Sequence, residues 1–321
     1  MKTFKTFLFL SVITLVAVVN AASAVLFPVV VGGRWGFTDQ SGKLVVNPQF
    51  EQVAPFASGM AAVRLKTWGY VDGAGKVVVN PQFDAAGPFS EKLAAIEAGG
   101  RCGYINSEGK YAINPQFDEA GTFTEGLAVV KFKGKYGYID KTGKYVVNPQ
   151  FQSAEAFSED LALVELNGRM GYIDPAGKLV INPQFDKAGS FSEGLAEFKL
   201  NGRWGFINKT GKIVINPQFE GAHSFVDGLA PARLGGRWGF VDPTGHSVIN
   251  PQFDDAAPFS EGLARVRLGS RWGFIDKTGK LVINPQFGDA MSFANGLARV
   301  KLSGKTGYIG LDGKYVWNPT N

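Results

Sequence analysis

The amino-acid sequence predicts an all-β domain built from tandem repeats, and two recurring motifs support this prediction. A glycine that follows Trp in most copies and precedes Phe or Tyr returns every 33 or 34 residues, from Gly36 to Gly307. Asn-Pro-Gln-Phe comes after it in each of the first eight copies, whereas the ninth copy ends at Asn318-Pro319. A period of this length indicates one supersecondary unit stacked in tandem, so that each copy buries the apolar surface of its neighbour.

One repeat, residues 195–219, carries the signals of three antiparallel strands. Asn201-Gly202 separates the first two strands and is a strong hairpin signal, because a type I′ turn needs positive φ at both central residues. The second turn, residues 208–212, opens with Asn and contains Gly, as expected for a type I turn followed by a glycine bulge. The third strand should end at Pro217, since proline cannot donate to a sheet ladder.

Both faces of this predicted sheet are apolar, which indicates that neighbouring sheets cover both of them. The expected register divides the apolar side chains into one set with Ala196, Phe198, Leu200, Ile207, Ile213 and Ile215, and another with Trp204, Phe206 and Val214. A glycine inside a strand suggests close approach of another group. We expect an aromatic ring of the adjacent unit to lie over Gly205.

The predicted architecture is therefore nine three-stranded antiparallel meander units, face-stacked as an open solenoid or superhelix. The alternative is a β-propeller-like ring. Propellers typically have four to eight blades of four strands. Nine three-stranded units with a period near 34 residues therefore favour the superhelix.

The N-terminal residues have the composition of a signal peptide. Lys2 and Lys5 precede an apolar run at residues 7–19, and small residues lead up to Ala24. A membrane anchor is the alternative, but about 13 apolar residues are fewer than the roughly 20 that a span needs. We predict a signal peptide at residues 1–24, cleaved between Ala24 and Val25. The mature chain, residues 25–321, should be exported to the periplasm, the cell surface or the medium.

The full repeat pattern resembles that of the WG-repeat family of bacterial proteins, also called KWG repeats. The pattern is Lys/Arg-Trp-Gly-Phe/Tyr-Ile-Asp-Lys-Thr-Gly-Lys, an apolar triplet, Pro-Gln-Phe and Phe-Ser-Glu-Gly-Leu-Ala, matched best at residues 135–151 and 271–287. The resemblance covers residues 25–321 as eight full repeats and a shortened ninth. It implies a β-rich repeat scaffold, often exported or surface-exposed, without a generally established activity.

Residues that could carry catalysis or bind a metal form no recognisable constellation. His223 and His246 are not part of a metal-ligand or nucleophile motif. The recurring turn acids are interpreted as turn initiators, because Asn106 and Asn208 replace them in two copies. The repeat position directly before the recurring glycine is Trp in most copies, and we call it the Trp column. The single cysteine, Cys102, lies in this column and is expected to be a packing residue. We therefore predict no enzyme activity, no cofactor and no metal.

Two columns of basic residues are the candidate binding residues. Arg169, Arg203, Arg237 and Arg271 precede the Trp column, and Lys178, Lys212 and Lys280 follow the turn glycine. In a repeat scaffold they would form parallel rows that bind an acidic protein or an anionic polymer. The alternative is that they keep the chain soluble and protect sheet edges. The Trp column itself is interpreted as part of the core.

These observations favour a non-enzymatic, exported scaffold for a macromolecular partner, most plausibly a protein. The second hypothesis is a binder of cell-wall or surface carbohydrate, and the third is an enzyme with a site hidden in the connectors. The 33 basic and 28 acidic residues are too evenly balanced to indicate nucleic-acid binding. No membrane span is expected in the mature chain.

Overall fold

The computed structural model describes residues 25–320, and this part of the chain is all-β. It contains 35 strands and no helix. The predicted signal peptide lies outside the described residues, and Val25 is the first residue that the structure describes. Between residues 25 and 320 there is consequently no helix that could cross a membrane.

The strands form nine antiparallel sheets, in each of which strands adjacent in sequence pair with one another. The first sheet has three strands: β1 (Phe27–Val31), β2 (Arg34–Thr38) and β3 (Leu44–Phe50). The next four sheets have four strands each: β4 (Gln52–Val53), β5 (Met60–Arg64), β6 (Trp68–Asp72), β7 (Val77–Phe83); β8 (Ala85–Ser90), β9 (Leu93–Ala98), β10 (Arg101–Ile105), β11 (Tyr111–Phe117); β12 (Glu119–Ala120), β13 (Leu127–Phe132), β14 (Lys135–Asp140), β15 (Tyr145–Phe151); β16 (Ser153–Ala154), β17 (Ala162–Leu166), β18 (Arg169–Ile173), β19 (Leu179–Phe185).

The last four sheets have the same four-stranded order. Their strands are β20 (Lys187–Ala188), β21 (Leu195–Leu200), β22 (Arg203–Asn208), β23 (Ile213–Phe219); β24 (Gly221–Ala222), β25 (Ala230–Leu234), β26 (Arg237–Val241), β27 (Ser247–Phe253); β28 (Asp255–Ala256), β29 (Ala264–Leu268), β30 (Arg271–Ile275), β31 (Leu281–Phe287); β32 (Asp289–Ala290), β33 (Leu297–Leu302), β34 (Lys305–Gly310), β35 (Tyr315–Thr320).

The prediction of three strands per unit missed a short strand in the connector. In the representative repeat, β20 pairs with β21 through Lys187 opposite Lys199 and Ala188 opposite Phe198. The last strand also continues past Pro217 to Phe219. Proline is tolerated there because β23 is an edge strand, where a missing N–H breaks no ladder hydrogen bond.

The predicted register of the first hairpin is correct. The predicted assignment of the third strand to the two faces of the sheet is wrong, because a bulge shifts the pairing. Ile207 lies opposite Ile213, whereas Phe206 lies opposite Ile215, with a register shift between the two pairs. Ile215 therefore shares a face with Phe206 and not with Ile207. It is buried, while Ile213 and Val214 are exposed. One additional residue in a strand moves every later side chain to the opposite face.

The same bulge explains the glycine in the middle strand. Close approach at Gly205 is confirmed, but the predicted aromatic partner is wrong. A Cβ on Gly205 would meet the carbonyl oxygen of Ile215 and would lie 2.8 Å from the backbone nitrogen of Pro217. The neighbouring group is thus the backbone of the same sheet.

Apolar side chains fill the space between consecutive sheets, as the sequence predicts. Phe206 and Ile215 of one sheet pack in the same cluster as Phe225 and Val241 of the next. The rings of Phe206 and Phe225 are 4.8 Å apart in an edge-to-face arrangement. Face-to-face stacking of small sheets is confirmed.

The described residues group into two compact units. The first comprises residues 25–28, 34–39 and 44–150; the second comprises residues 29–33, 40–43 and 151–320. Within the second unit, Thr320 Oγ1 donates a hydrogen bond to the carbonyl of Val30 at 2.7 Å, and Gln40 Nε2 donates to the carbonyl of Asn295 at 2.8 Å. The first and last repeats are therefore in contact.

The fold is a β-propeller with nine blades, so the ring is confirmed and the open superhelix is not formed. In the sequence, the short period argues against four-stranded blades. The first strand of a blade, however, needs only two residues, such as Lys187–Ala188. A four-stranded blade thereby fits into about 34 residues.

Candidate functional site

The last strand of each blade is a sheet edge that begins with exposed apolar residues. In β23 the side chains of Ile213 and Val214 are 41% and 42% exposed, and both follow the exposed Lys212. We call such a lysine and the two apolar residues after it a Lys-apolar edge. The second unit has three of them, at residues 178–180, 212–214 and 280–282. The same strand position exposes Val45, Val77, Val78, Val146 and Val248 in other blades.

The Lys-apolar edges are exposed because the bulge turns only some side chains of the strand inward. Ile215 and Phe219 are buried, whereas Asn216 and Gln218 are exposed. Pro217 lies between them and lacks a backbone donor, which discourages pairing with a strand of another chain. A partner would therefore be bound mainly through the side chains of this edge.

The predicted lysine row carries exposed positive charge. Lys178, Lys212 and Lys280 are all exposed. None of the three forms an ion pair with another described residue, in contrast to Lys110, which pairs with Glu108 at 2.7 Å. Surface lysines beside exposed aliphatic side chains can bind a ligand that is both acidic and apolar.

The predicted arginine row is different, because acids of the same blade neutralise most of it. Two ion pairs join Arg169 to Asp186 and Arg237 to Asp254, and Arg203 lies 3.8 Å from Glu220. The last member of the row has no acid at the equivalent position. Arg271 Nη1 donates instead to the carbonyl of Gln286 at 3.3 Å. Gly288 lies at the position that Asp186 and Asp254 occupy in their blades. The two basic rows are thus chemically unequal.

The turn acids are structural, as predicted. Asp174 Oδ1 accepts hydrogen bonds from the backbone N–H groups of Ala176 and Lys178 at 3.0 and 2.9 Å. Asn208 Oδ1 accepts the equivalent bonds from Thr210 and Lys212 at 3.1 and 3.0 Å. An amide oxygen serves this turn as well as a carboxylate does, which is why both residues occur in the column.

The tryptophans are half-buried, and other side chains cover the rings of Trp238 and Trp272. Trp204, Trp238 and Trp272 each pack against the core cluster between two blades. The ring of His223 stacks on Trp238 at 4.9 Å, and the guanidinium of Arg265 lies 4.8 Å from the ring centre of Trp272. These contacts leave little flat surface for stacking of a sugar.

Two acidic residues form a partly buried cluster that the sequence analysis did not identify. Glu155 lies in a connector and accepts a hydrogen bond from Ser190 at 2.8 Å. Glu197 lies in β21 and accepts a hydrogen bond from Ser224 at 3.4 Å. Burial is the main cause that raises the pKa of Glu197 to about 7, and the negative charge of Glu155 is a smaller cause in the same direction. Burial also raises the pKa of Glu155.

A signal for this cluster is present in the sequence as a break in the repeat. The position of Glu197 in β21 holds an apolar residue in each of the four preceding blades. These residues are Ala62, Ala95, Val129 and Leu163. Later blades place Pro231, Arg265 and Arg299 there, so Glu197 is the only acid in this column between residues 25 and 320. A buried charge at such a position is costly and indicates either a partner or a ligand.

The remaining residues singled out from the sequence have structural or surface positions. Cys102 is buried in a core cluster, as expected for a packing residue. His246 is exposed and its Nδ1 lies 2.7 Å from the hydroxyl of Thr244. Between residues 25 and 320 no group of three or more His, Cys, Asp or Glu side chains could together hold a metal ion.

The sheet order and the repeated edges define this chain as a β-propeller repeat protein. The family described as WG containing repeat matches residues 35–66, 68–102, 103–136, 136–169, 170–204, 204–238, 238–272 and 272–305, so the chain belongs to this family. The resemblance seen in the sequence is thereby confirmed. No curated protein matches the chain.

Several solved structures are similar to this chain. A eukaryotic initiation factor aligns with a TM-score of 0.64 and 12% identity, covering 91% of this chain and 95% of its own. The dihydro-heme d1 dehydrogenase NirN aligns with a TM-score of 0.48 and 13% identity over 83% and 75%. Hsv2p of Kluyveromyces lactis aligns with a TM-score of 0.44 and 8% identity over 68% and 89%. The initiation factor shares the fold at an identity too low to indicate a shared function.

Proposed function

We propose that this protein is a non-enzymatic, exported scaffold that binds an acidic protein partner through its Lys-apolar edges. The observation that carries the proposal is the exposure of an aliphatic pair directly after an unpaired lysine in three blades of the second unit. A solvated lysine row alone would serve solubility. Repeated exposure of two adjacent aliphatic side chains beside it costs solubility and is expected where a partner covers them.

The chemistry of the edge favours a polypeptide over a simple polyanion. A partner with acidic side chains close to apolar ones would pair with Lys212 and cover Ile213 and Val214 together. A single exposed ion pair contributes only about 0.2–1 kcal/mol. Several equivalent edges on one scaffold would add such weak contacts, because the later contacts form within one complex.

The predicted arginine row has a smaller part in this proposal. Asp186 and Asp254 already pair with Arg169 and Arg237. A partner would have to displace these acids before it could use the guanidinium groups. The alternative of a carbohydrate ligand has less support, because His223 and Arg265 cover the rings that a sugar would need.

The binding proposal is tested with purified residues 25–321 as bait in an envelope extract, with and without protease treatment of the extract. Captured proteins are identified, and the affinity of each purified candidate is measured directly. Changing Lys178, Lys212 and Lys280 together to Gln should weaken binding by roughly tenfold or more, because three charge contacts are lost.

The matched control removes the same number of charges from the neutralised row by changing Arg169, Arg203 and Arg237 to Gln. This variant should bind almost as well as the parent protein. Equal losses in the two variants would contradict a role for the lysine row. Capture that survives proteolysis of the extract would favour a polysaccharide and overturn the proposal.

Export is supported by the basic, apolar and small-residue segments at residues 1–24. The intact mass of the protein isolated from its source should correspond to a chain that begins at Val25. A mass that retains residues 1–24, with the protein in the membrane fraction, would favour the anchor instead.

A further inference from the structure

Glu155 and Glu197 lie at two repeat positions that hold no other acid between residues 25 and 320. The position of Glu155 in the connector holds a small residue in five other blades, whereas two blades have a larger residue there. The small residues are Ala54, Gly87, Gly121, Gly189 and Ala257, and the larger ones are His223 and Met291. The position accepts side chains of different size, and the ring of His223 stacks there on Trp238. Among the described blades, only Glu155 places a carboxylate at this position.

The two carboxyl groups are held by successive connectors of the second unit. Ser190 donates to Glu155 from the next connector, and Ser224 donates to Glu197 from the connector after that. The carboxyl of Glu197 lies directly against Gly189, where an added Cβ would be 2.6 Å from its Cδ atom. Oxygen atoms from three consecutive repeats therefore converge at this point.

One oxygen of this cluster has no partner. The Oε2 atom of Glu197 is fully buried and forms no hydrogen bond with the described residues. The groups that determine the pKa of Glu197 include no basic side chain, and its charged neighbour is the acid Glu155. An ionised carboxylate is stable in such a place only if a cation accompanies it.

We propose that Glu155 and Glu197, together with the hydroxyl groups of Ser190 and Ser224, bind a hard divalent cation such as Ca²⁺ or Mg²⁺. All four ligands are oxygen donors, which both ions prefer, and water can complete the coordination shell. The ion neutralises two adjacent carboxylates and supplies the missing partner of Glu197 Oε2. This inference does not depend on the identity of the protein partner.

Binding of the ion would connect three successive blades. Because the ligands come from separate connectors, the folded chain binds the ion and the unfolded chain does not. Ligation therefore raises the free energy of unfolding by RT ln(1 + c/Kd), where c is the concentration of free ion, and this gain grows with the logarithm of c once the site is saturated. The expected role is a brace between blades.

The test measures thermal unfolding of residues 25–321 at mildly alkaline pH in a chelator, in CaCl₂ and in MgCl₂. The parent protein should unfold at a higher temperature with one of these ions. Glu197→Gln and Glu155→Gln keep side-chain size, and the ion-dependent rise should be lost in both. Terbium luminescence excited through the aromatic residues gives an independent readout. Terbium affinity should fall about tenfold or more in each variant.

Asp174→Asn is the matched control, because Asn106 and Asn208 occupy the same turn position naturally. This variant should keep both the terbium signal and the ion-dependent rise. Circular dichroism confirms that each variant is folded. The proposal is overturned if neither ion shifts unfolding of the parent protein, or if Glu197→Gln responds to the ion as the parent does. A pH response without an ion response would mean that a proton alone neutralises the cluster.

Discussion

Ser192 Oγ donates a hydrogen bond to the carbonyl of Phe225 at 2.7 Å, from the connector of one blade to the connector of the next. Equivalent bonds recur through the propeller at 2.7, 2.9 and 2.6 Å; they join Ser90 to Phe123, Ser158 to Phe191 and Ser260 to Phe293. The serine of the repeated Phe-Ser-Glu-Gly motif is thus a link between blades.

The glutamate of the same motif makes a second link. Glu159 accepts a hydrogen bond from the backbone N–H of Gly194 at 3.0 Å, and Glu193 accepts one from Gly228 at 2.9 Å. Each connector therefore satisfies a backbone donor of its successor. Hydrogen bonds of this kind make the stacking of blades specific, whereas apolar packing alone tolerates small shifts.

Ser192→Ala should lower the free energy of unfolding by about 1 kcal/mol, because a nearly buried hydrogen bond is lost. Alanine fits the position, since Ala294 occupies it in a later blade. Urea unfolding monitored by tryptophan fluorescence measures the change. Ser247→Ala, at an exposed site, is the control and should change stability by less than about 0.5 kcal/mol. Equal effects would argue against the link between blades.

Gly69→Ala should destabilise the protein by roughly 1–3 kcal/mol, as overpacking does. The new Cβ would lie 2.6 Å from the backbone nitrogen of Pro81 and 2.9 Å from the carbonyl carbon of Asn80. Backbone atoms cannot move aside as a flexible side chain can. Gly73→Ala, in the same blade, meets nothing within 4 Å and should leave the thermal unfolding midpoint almost unchanged. Tolerance of Ala at Gly69 would disprove the close approach.

Asp276→Asn should leave stability nearly unchanged, whereas Asp276→Ala should lower the thermal unfolding midpoint, because the side-chain hydrogen bonds that hold the turn are lost. The Oδ1 atom of Asp276 accepts bonds from the backbone N–H groups of Thr278 and Lys280 at 2.9 and 3.1 Å. The hydroxyl of Thr278 holds the pKa of Asp276 below its usual value. Thermal denaturation of both variants measures their unfolding midpoints, and chemical denaturation measures their free energies of unfolding; together they test this prediction. A large loss in the Asn variant would mean that the charge itself is needed.

In the presence of a chelator, Glu197 should make stability fall as the pH rises from about 4.5 to about 7. Its pKa is raised in the folded state, so the folded protein holds a proton that the unfolded chain releases in this range. The stabilising contribution of Glu197 is present below its pKa in the unfolded chain. It is lost as the pH rises through its pKa in the folded protein. The magnitude is on the order of 1–3 kcal/mol.

The measurement compares free energies of unfolding of the parent protein and Glu197→Gln across this pH range. The glutamine variant should lack the part of the slope that Glu197 contributes, while Glu155 still contributes its own. Glu155 and Tyr172 are the titratable neighbours that interact with this carboxyl. Parallel curves for the two proteins would show that Glu197 titrates normally.

Strands, turns and the family could be predicted from the sequence because their signals are local. Asn201-Gly202 forms the predicted tight turn, and Gly202 has a φ of 83° that favours glycine. The lysines at 178, 212 and 280 are exposed because a charged residue directly after a turn rarely lies inside. The short strand Lys187–Ala188 was missed, since two residues carry no periodicity.

The unequal chemistry of the two basic rows could not be predicted. The pairing of Arg169 with Asp186 depends on the bulge in the intervening strand, which changes the register. Glu155 and Glu197 lie in different blades, and the sequence gives no indication that one raises the pKa of the other. Only the stacking of connectors brings them together.

The sequence by itself determined the all-β repeat and membership of the WG-repeat family, because each blade repeats the same local signals. The tertiary structure alone decided that the chain forms a propeller and that the charge of Glu155 affects the buried carboxyl of Glu197. Contacts such as Thr320 with Val30 join residues at opposite ends of the chain. A repeated motif specifies the same interface at every step and contains no information on where the last unit meets the first.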